Sequence, residues 1–391
     1  MPTDRNDPEK VSPEALRWFQ FRQSGLAVPF STPEVAAGCL VGIQAQILSA
    51  AGLALWNRCR RLTWKGCERR ILKIRTLVKL WGQRGTLHLY PSDEWPLLHG
   101  ALSGRGTWQE RLLERRGGDI SAWRAKVEHV GGLLRERKTL GRRELRESGL
   151  KLDEYDLSSW GGIFADLVRR GEACHAGNEG GEGRFSSREA WLPNLLWLPP
   201  TREEANVEML RRYLSAYGPA RIRDFAYWRG VAVGEAKSWL ERLGSAFTIP
   251  IFLLGEEDEE PLFALREHLT ALRSPAPKRG MWPLRLLGRF DPFLLACRDK
   301  TRLVDPAYYH HVWKKAGHIE AVVLIEGRIA ATWRYRREAS GLSVEVFPFA
   351  PLRTALCATI TERATAVATF FGLPLGRISF ADPLIPHSSD G

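Results

Sequence analysis

Hydrophobic positions in the middle of the chain first follow helical spacing and then strand spacing. Residues 158–170 place Ile163 and Leu167 on one helical face, and a shorter helix is predicted at 138–145. A hairpin follows, with a glycine-rich tip at 177–183. Two helices and then a two-stranded hairpin form the order of a winged helix.

The same order of elements is predicted on both sides of this region. Downstream, three helices precede two strands, at 203–216, 220–229, 233–243, 247–254 and 262–265. The acidic run 256–260 lies at the tip of that second wing. At the front, three helices precede a tight hairpin, at 12–23, 33–40, 47–58, 77–81 and 86–90.

The last third of the chain changes to strand-like runs. These lie at 321–325, 328–334 and 342–347, and a helix at 352–371 follows them. The predicted fold class is α+β, with three tandem winged-helix domains followed by a small β-rich, barrel-like C-terminal domain. The predicted domains are 1–120, 121–200, 201–275 and 276–391.

The composition indicates the kind of partner that the protein binds. A hydrophobic fraction of 44% in 391 residues indicates a folded chain, and a net charge of +12 favours binding to a polyphosphate. No apolar run is long enough for a membrane span and no signal peptide is visible, so we expect a bacterial cytoplasmic, nucleoid-associated protein. Three winged helices predict an extended duplex-binding surface, although single copies also serve as protein–protein modules.

Several kinds of catalytic centre are not predicted. The six cysteines contain no CxxC pair, and the chain has no P-loop, no GxSxG and no HExxH motif. His310 and His311 are adjacent, but no third ligand has useful spacing. We therefore expect neither a metal nor a cofactor.

Basic residues are concentrated in the segment 58–75. Eight of them stand against the single acidic residue Glu68: Arg58, Arg60, Arg61, Lys65, Arg69, Arg70, Lys73 and Arg75. The first four are predicted to contact the DNA backbone; the alternative is a solvated helix face. Arg84 and His88 flank the first predicted hairpin and are further candidates for phosphate or groove contact. The alternative for His88 is a buried strand residue with its hydrogen bonds satisfied.

Two glutamines lie two positions apart in an otherwise apolar stretch, Gly42-Ile43-Gln44-Ala45-Gln46-Ile47. Buried amides need hydrogen-bond partners, and residues i and i+2 of a helix point in nearly opposite directions. The spacing therefore predicts a non-helical turn at 42–46 that directs both amides into a cleft. The alternative is a pair of amides that cap neighbouring helices.

Six segments, in chain order, together resemble the AlkZ-like winged-helix DNA glycosylase family and its YcaQ-type relatives. They are Gly42 to Gln46, Leu53 to Arg58, Arg84 to Leu89, Arg289 to Leu294, Arg298 to Lys300 and Gly327 to Trp333. The resemblance implies that Gln44 and Gln46 form the catalytic centre. Gln46, where a sister group has Asp, indicates the Gln-x-Gln subgroup.

The resemblance also implies the reaction, which is the hydrolysis of the N-glycosidic bond of N7-alkylated purines in double-stranded DNA, including bulky adducts and interstrand crosslinks. An N7-alkylated purine is cationic and departs as a neutral base, so no general acid is needed. One amide would hold the attacking water, and the other would orient it or contact the sugar; the sequence leaves the two roles open. The motif contains no lysine for a Schiff base, so lyase activity is not expected.

Two other classes of function remain at this stage. A non-enzymatic winged-helix DNA-binding regulator would use the glutamines structurally, but such regulators usually dimerise with one reading head per subunit. Three heads in one chain fit a monomer better. A nuclease would need clustered acidic residues for metal ions, and the run 256–260 lacks that spacing.

Overall fold

A computed structural model describes residues 9–386, apart from 105, 159–161 and 256–259. The chain divides into two compact units. Unit 1 comprises residues 1–67 and 207–391, and unit 2 comprises residues 68–206. Residues 1–120, which the sequence predicts as one domain, are therefore shared between the units, and the finer division into four domains stays a prediction.

Unit 1 begins with short elements whose ends carry local signals. They are β1 (Glu9–Val11), α1 (Pro13–Gln23), α2 (Pro33–Cys39), β2 (Ile43–Gln44), α3 (Leu48–Trp56) and α4 (Trp64–Leu72), the last of which runs across the unit boundary. The Ser12 and Thr32 side chains cap α1 and α2, each followed by proline at the first helical position. These boundaries agree closely with the predicted helices.

Unit 2 combines helices with an antiparallel sheet. Its elements are β3 (Leu77–Trp81), β4 (Leu87–Pro91), α5 (Trp95–Leu102), α6 (Trp108–Arg115), α7 (Ile120–Arg137), β5 (Thr139–Gly141), α8 (Arg142–Arg146), α9 (Gly162–Arg169), β6 (Ala173–Glu179), β7 (Glu182–Ser187) and α10 (Arg188–Trp191). The strand order within the unit is β4-β3-β6-β7-β5. The hairpin predicted around 177–183 is β6–β7, which Phe185 anchors by stacking on Phe164 at 4.1 Å.

A buried carboxylate joins three helices of unit 2. Asp166 on α9 accepts hydrogen bonds from the Thr107 hydroxyl at 2.8 Å and from the Trp123 indole N–H at 2.6 Å. Burial raises the pKa of Asp166 to about 6, although these two donors oppose the shift. The carboxylate therefore ties α9 to α7 and to the N-cap of α6.

The remainder of unit 1 is helical at first and then mainly β-structure. Its elements are α11 (Arg202–Tyr217), whose first five residues belong to unit 2, α12 (Ile222–Arg229), α13 (Val233–Leu243), β8 (Thr248–Leu253), β9 (Leu262–Leu265), α14 (Leu269–Arg273), β10 (Arg285–Leu287), α15 (Pro292–Leu295), α16 (Tyr309–Val312), β11 (Ala321–Ile325), β12 (Arg328–Glu338), β13 (Gly341–Pro348), α17 (Thr354–Phe370) and β14 (Leu375–Phe380). The predicted second wing is β8–β9, and β1 joins β8 in parallel. Most of the acidic run at its tip, 256–259, lies outside the described residues.

The C-terminal sheet has five strands in the order β10-β11-β12-β13-β14. It is open, with β10 and β14 as its edges, so the predicted barrel-like closure is not confirmed. Strand β14 was not predicted; it pairs in parallel with β13 after the α17 crossover. The structure is thus a mixed α+β fold with several sheets, and the number of winged helices stays a prediction. None of the helices in the described ranges has the length and apolarity required to cross a membrane.

Candidate functional site

The backbone between α2 and α3 reverses direction over two residues. Val41 and Gly42 both adopt positive φ angles, 55° and 94°, and the Gly42 N–H donates to the Ala37 carbonyl at 2.8 Å. The chain then runs extended through Ile43–Gln44 before α3 begins at Leu48. This confirms the predicted non-helical turn.

The two glutamine amides meet directly. Gln44 Nε2 donates to Gln46 Oε1 at 2.8 Å, because alternate residues of an extended segment point to the same side. The intervening Ala45 is fully buried, as is Ile43. Gln44 is only 6% exposed, whereas Gln46 is exposed. Gln46 is therefore accessible to solvent, and the buried Gln44 holds it through a hydrogen bond.

Two tyrosines from more distant elements donate hydrogen bonds to residues on either side of this pair. The Tyr217 hydroxyl donates to the Leu40 carbonyl at 2.9 Å, just before the turn. The Tyr335 hydroxyl donates to Ser49 Oγ at 3.1 Å, in the first turn of α3. The Tyr335 ring packs 5.3 Å from the Phe371 ring. Sequence reasoning missed both tyrosines, because nothing local to either one points to residues 40–49.

Helix α3 depends on small residues for its position. A Cβ atom at Gly52 would lie 2.9 Å from the Trp64 ring and 3.2 Å from Phe370. A Cβ atom at Gly288 would lie 3.3 Å from the Ala50 carbonyl oxygen. The apolar run that follows the glutamines thus packs tightly on two sides, so α3 gives rigid support to the segment just before it, which contains Gln46.

Arg58 does not belong to any exposed basic surface. Its guanidinium group makes a bidentate ion pair with Asp291, at 2.8 and 2.7 Å, and also donates to the carbonyl groups of Ser24 and Ala54. Both side chains of the pair are 0% exposed. The prediction that Arg58 contacts DNA is therefore wrong, because its donors are already used inside unit 1. No local sequence signal identifies this role, because Asp291 lies 233 residues from Arg58.

The other three basic candidates in this segment are exposed. Arg60 and Arg61 lie in the turn between α3 and α4, and Lys65 lies in the first turn of α4. Arg61 adopts a positive φ of 56° as the chain turns. Their cationic groups are available to a polyanion, and the predicted DNA contact stays a prediction for all three.

The two candidates from unit 2 differ from each other. Arg84 lies half-buried in the tight turn Gln83–Gly85 between β3 and β4, with a φ of 56°. His88 is 3% exposed, and its Nδ1–H donates to the Thr86 carbonyl at 2.9 Å. Burial lowers the pKa of His88 to about 3, so the ring is neutral. Phosphate contact by His88 is therefore contradicted, and the alternative of a satisfied strand residue fits.

No group of three or more His, Cys, Asp and Glu side chains in the described ranges is arranged to hold a metal ion. The candidate site consists of two neutral amides that follow the turn at Val41 and Gly42. Amides bind water and orient it through hydrogen bonds, and they need no shifted pKa to do so.

Comparison with known proteins places this chain among known relatives. A family model described as "DNA glycosylase AlkZ-like" matches residues 37–370. The interstrand DNA cross-link repair glycosylase of Streptomyces sahachiroi is 29% identical over 376 residues, covering 92% of this chain and 96% of that protein. The solved structure of Streptomyces sahachiroi DNA glycosylase AlkZ has a TM-score of 0.79 at 25% identity, covering 95% of this chain and 100% of that one.

Proposed function

Because this chain belongs to the AlkZ-like DNA glycosylase family, we propose that it hydrolyses the N-glycosidic bond of N7-alkylated purines in duplex DNA, including bulky adducts and interstrand crosslinks. The relative from Streptomyces sahachiroi carries a name that specifies interstrand cross-link repair, which supports the crosslink substrates. The net charge of +12 supports a duplex partner.

The observation that carries the proposal is the contact between Gln44 and Gln46. A fully internal amide pair would be structural, but here Gln46 is exposed while Gln44 holds its oxygen. An amide oxygen has two lone pairs, so Gln46 Oε1 accepts from Gln44 and still accepts one hydrogen bond from a water molecule. Gln46 is therefore assigned to the water, and Gln44 acts as a positioning residue.

The main requirement of the reaction is that the attacking water is held in place. The C1′–N9 bond breaks with its electron pair moving to the cationic purine, which leaves as a neutral alkylated base. The water oxygen bonds to C1′ and its proton passes to solvent, so the product is an abasic site. No general acid is required for the leaving group, and the described amide pair includes no amine that would form a Schiff base. The enzyme is thus a monofunctional glycosylase.

The test is base release from a duplex that contains N7-methylguanine, followed by alkaline cleavage of the abasic sites. Gln46→Ala is expected to lower the single-turnover rate about 10²- to 10³-fold, the loss typical of one positioned polar group at a reacting centre. Gln44→Ala is expected to lose less, because it acts through Gln46. Gln23→Ala, which removes a half-buried amide of α1, is the matched control.

Three outcomes would contradict the proposal. Unchanged release in both glutamine variants would remove their role, and strand cleavage without alkali would exclude a monofunctional enzyme. Tight duplex binding without any base release would favour the non-enzymatic regulator instead.

A further inference from the structure

The C-terminal sheet has one apolar face and one partly polar face. Trp333, Val344 and Val346 are buried on the face that packs toward α17. On the opposite face, β12, β13 and β14 carry arginine, glutamate and serine side chains. A cavity of about 320 Å³ opens there, lined among others by Arg334, Arg336, Ser343, Glu345 and Arg377. We call it the sheet cavity.

The strand register places two arginines on either side of a serine. Arg336 of β12 pairs with Ser343 of β13, which in turn pairs with Arg377 of β14. Neighbouring strands are about 5 Å apart, so the two arginine Cα atoms are separated by about 10 Å. Both side chains are exposed, and no ion pair or hydrogen bond of either one is found in the described part of the chain.

The next row of the same face is already balanced. Arg334 lies 3.5 Å from Glu320 and 5.4 Å from the Phe347 ring centroid, and its row partner across the strands is Glu345. The row of Arg336, Ser343 and Arg377 is bordered by Glu338, whose carboxylate accepts a hydrogen bond from the Ser343 hydroxyl at 2.8 Å. The unneutralised positive charge of the cavity is therefore concentrated on Arg336 and Arg377.

We infer that the sheet cavity binds a phosphodiester of the DNA backbone between Arg336 and Arg377. Planar guanidinium groups bind phosphate oxygens in a forked geometry, and two of them approaching from both sides suit a tetrahedral anion. The Ser343 hydroxyl lies between them and supplies a third donor when it turns from Glu338. The inference rests on the proposed function only for the identity of the polyanion.

The test uses the full chain and an undamaged duplex, so it does not depend on base release. The double variant R336Q/R377Q is expected to raise Kd about 10-fold at low salt. The slope of log affinity against log salt concentration is expected to fall by about 1, the value for one lost phosphate contact. R353Q, at an exposed arginine before α17, is the matched control and should change neither quantity.

A charge-retaining variant separates loss of charge from loss of folding. R336K/R377K is expected to keep the wild-type salt slope, with circular dichroism reporting the fold of all variants. An R336Q/R377Q protein that folds and retains both the affinity and the slope of the wild type would overturn the inference. The salt dependence of duplex binding does not depend on base release. If the glutamine variants released base normally, the proposed function would be contradicted, but this inference would not.

A free phosphate ion could be recognised by the same two guanidinium groups. Inorganic phosphate added in a thermal-unfolding titration distinguishes it from DNA. Stabilisation by phosphate that R336Q/R377Q abolishes, together with unchanged duplex affinity in that variant, would assign the cavity to a small anion and overturn the DNA contact. Loss of duplex affinity with the lower salt slope would support it.

Discussion

The Gln44–Gln46 pair and the Arg58–Asp291 pair are both polar contacts in unit 1, and both involve the segment around α3. The charged pair is sealed at 0% exposure, and all four hydrogen bonds that the Arg58 guanidinium group donates are buried. The neutral pair leaves one amide exposed with unused hydrogen-bonding capacity. In this chain a dense basic segment thus includes a structural residue, whereas the neutral pair keeps the free hydrogen-bonding capacity that the proposed function requires.

Removal of one charge from the sealed pair is the strongest test of this difference. Asp291→Asn keeps the carbonyl oxygen that caps α15 but leaves the Arg58 charge uncompensated, so we expect a loss of about 3–5 kcal/mol in the free energy of unfolding. Urea denaturation measures it. Gln46→Ala is the matched comparison, and its exposed side chain should cost under about 0.5 kcal/mol. Equal losses in the two variants would contradict the distinction.

Asp166 in unit 2 offers an intermediate case, because it is buried and hydrogen-bonded but titrates. Its pKa rises from 3.8 in the unfolded chain to about 6 in the folded protein, so the folded state binds its proton more tightly. This contribution to stability is fully present below pH 4 and is lost as the pH rises to about 6; it amounts to up to about 3 kcal/mol.

The variant Asp166→Asn cannot titrate at this position and isolates that contribution. The unfolding free energy of the wild type minus that of the variant should be larger at pH 4 than at pH 7.5, by about 1–3 kcal/mol. Urea unfolding of both proteins at the two pH values measures the change. A difference that does not vary with pH would show that folding does not raise the pKa of Asp166.

The smallest effect is expected from the exposed cations that follow Arg58 in sequence. Single substitutions Arg60→Gln, Arg61→Gln and Lys65→Gln should each weaken duplex binding about two- to fivefold at low salt, because each removes at most one phosphate contact. Fluorescence anisotropy with an undamaged duplex measures this effect, with Lys278→Gln as the control. If none of the three changes the salt dependence, this part of unit 1 does not contact the backbone.

Features that depend on nearby residues could be predicted from the sequence. The bounds of α13, β9 and β11 coincide with the predicted ranges, since hydrophobic periodicity and turn residues define them locally. The turn before Gln44 could also be predicted, because Gly42 permits a positive φ and the spacing of two excludes a helix. The resemblance to the family implies a role for the two amides.

Features that depend on distant partners could not be predicted from the sequence. Strand β14 pairs with β13 only across the whole of α17, so its own short and partly polar sequence carries little signal. Arg58 lies in a dense basic segment and its partner is 233 residues away. His88 alternates correctly for a strand, but only the packed sheet shows that its ring is buried and neutral.

The discontinuous unit 1 has a consequence for protein synthesis. Residues 1–67 leave the ribosome early, but Asp291, which compensates Arg58, follows 233 residues later. At about 5–20 residues per second this interval lasts roughly 10 to 50 seconds, during which residues 68–206 are already free to fold. Chains terminated before Asp291 would then carry both glutamines without the ion pair that anchors the end of α3, so translation past Asp291 becomes a precondition for a fully supported Gln44–Gln46 pair.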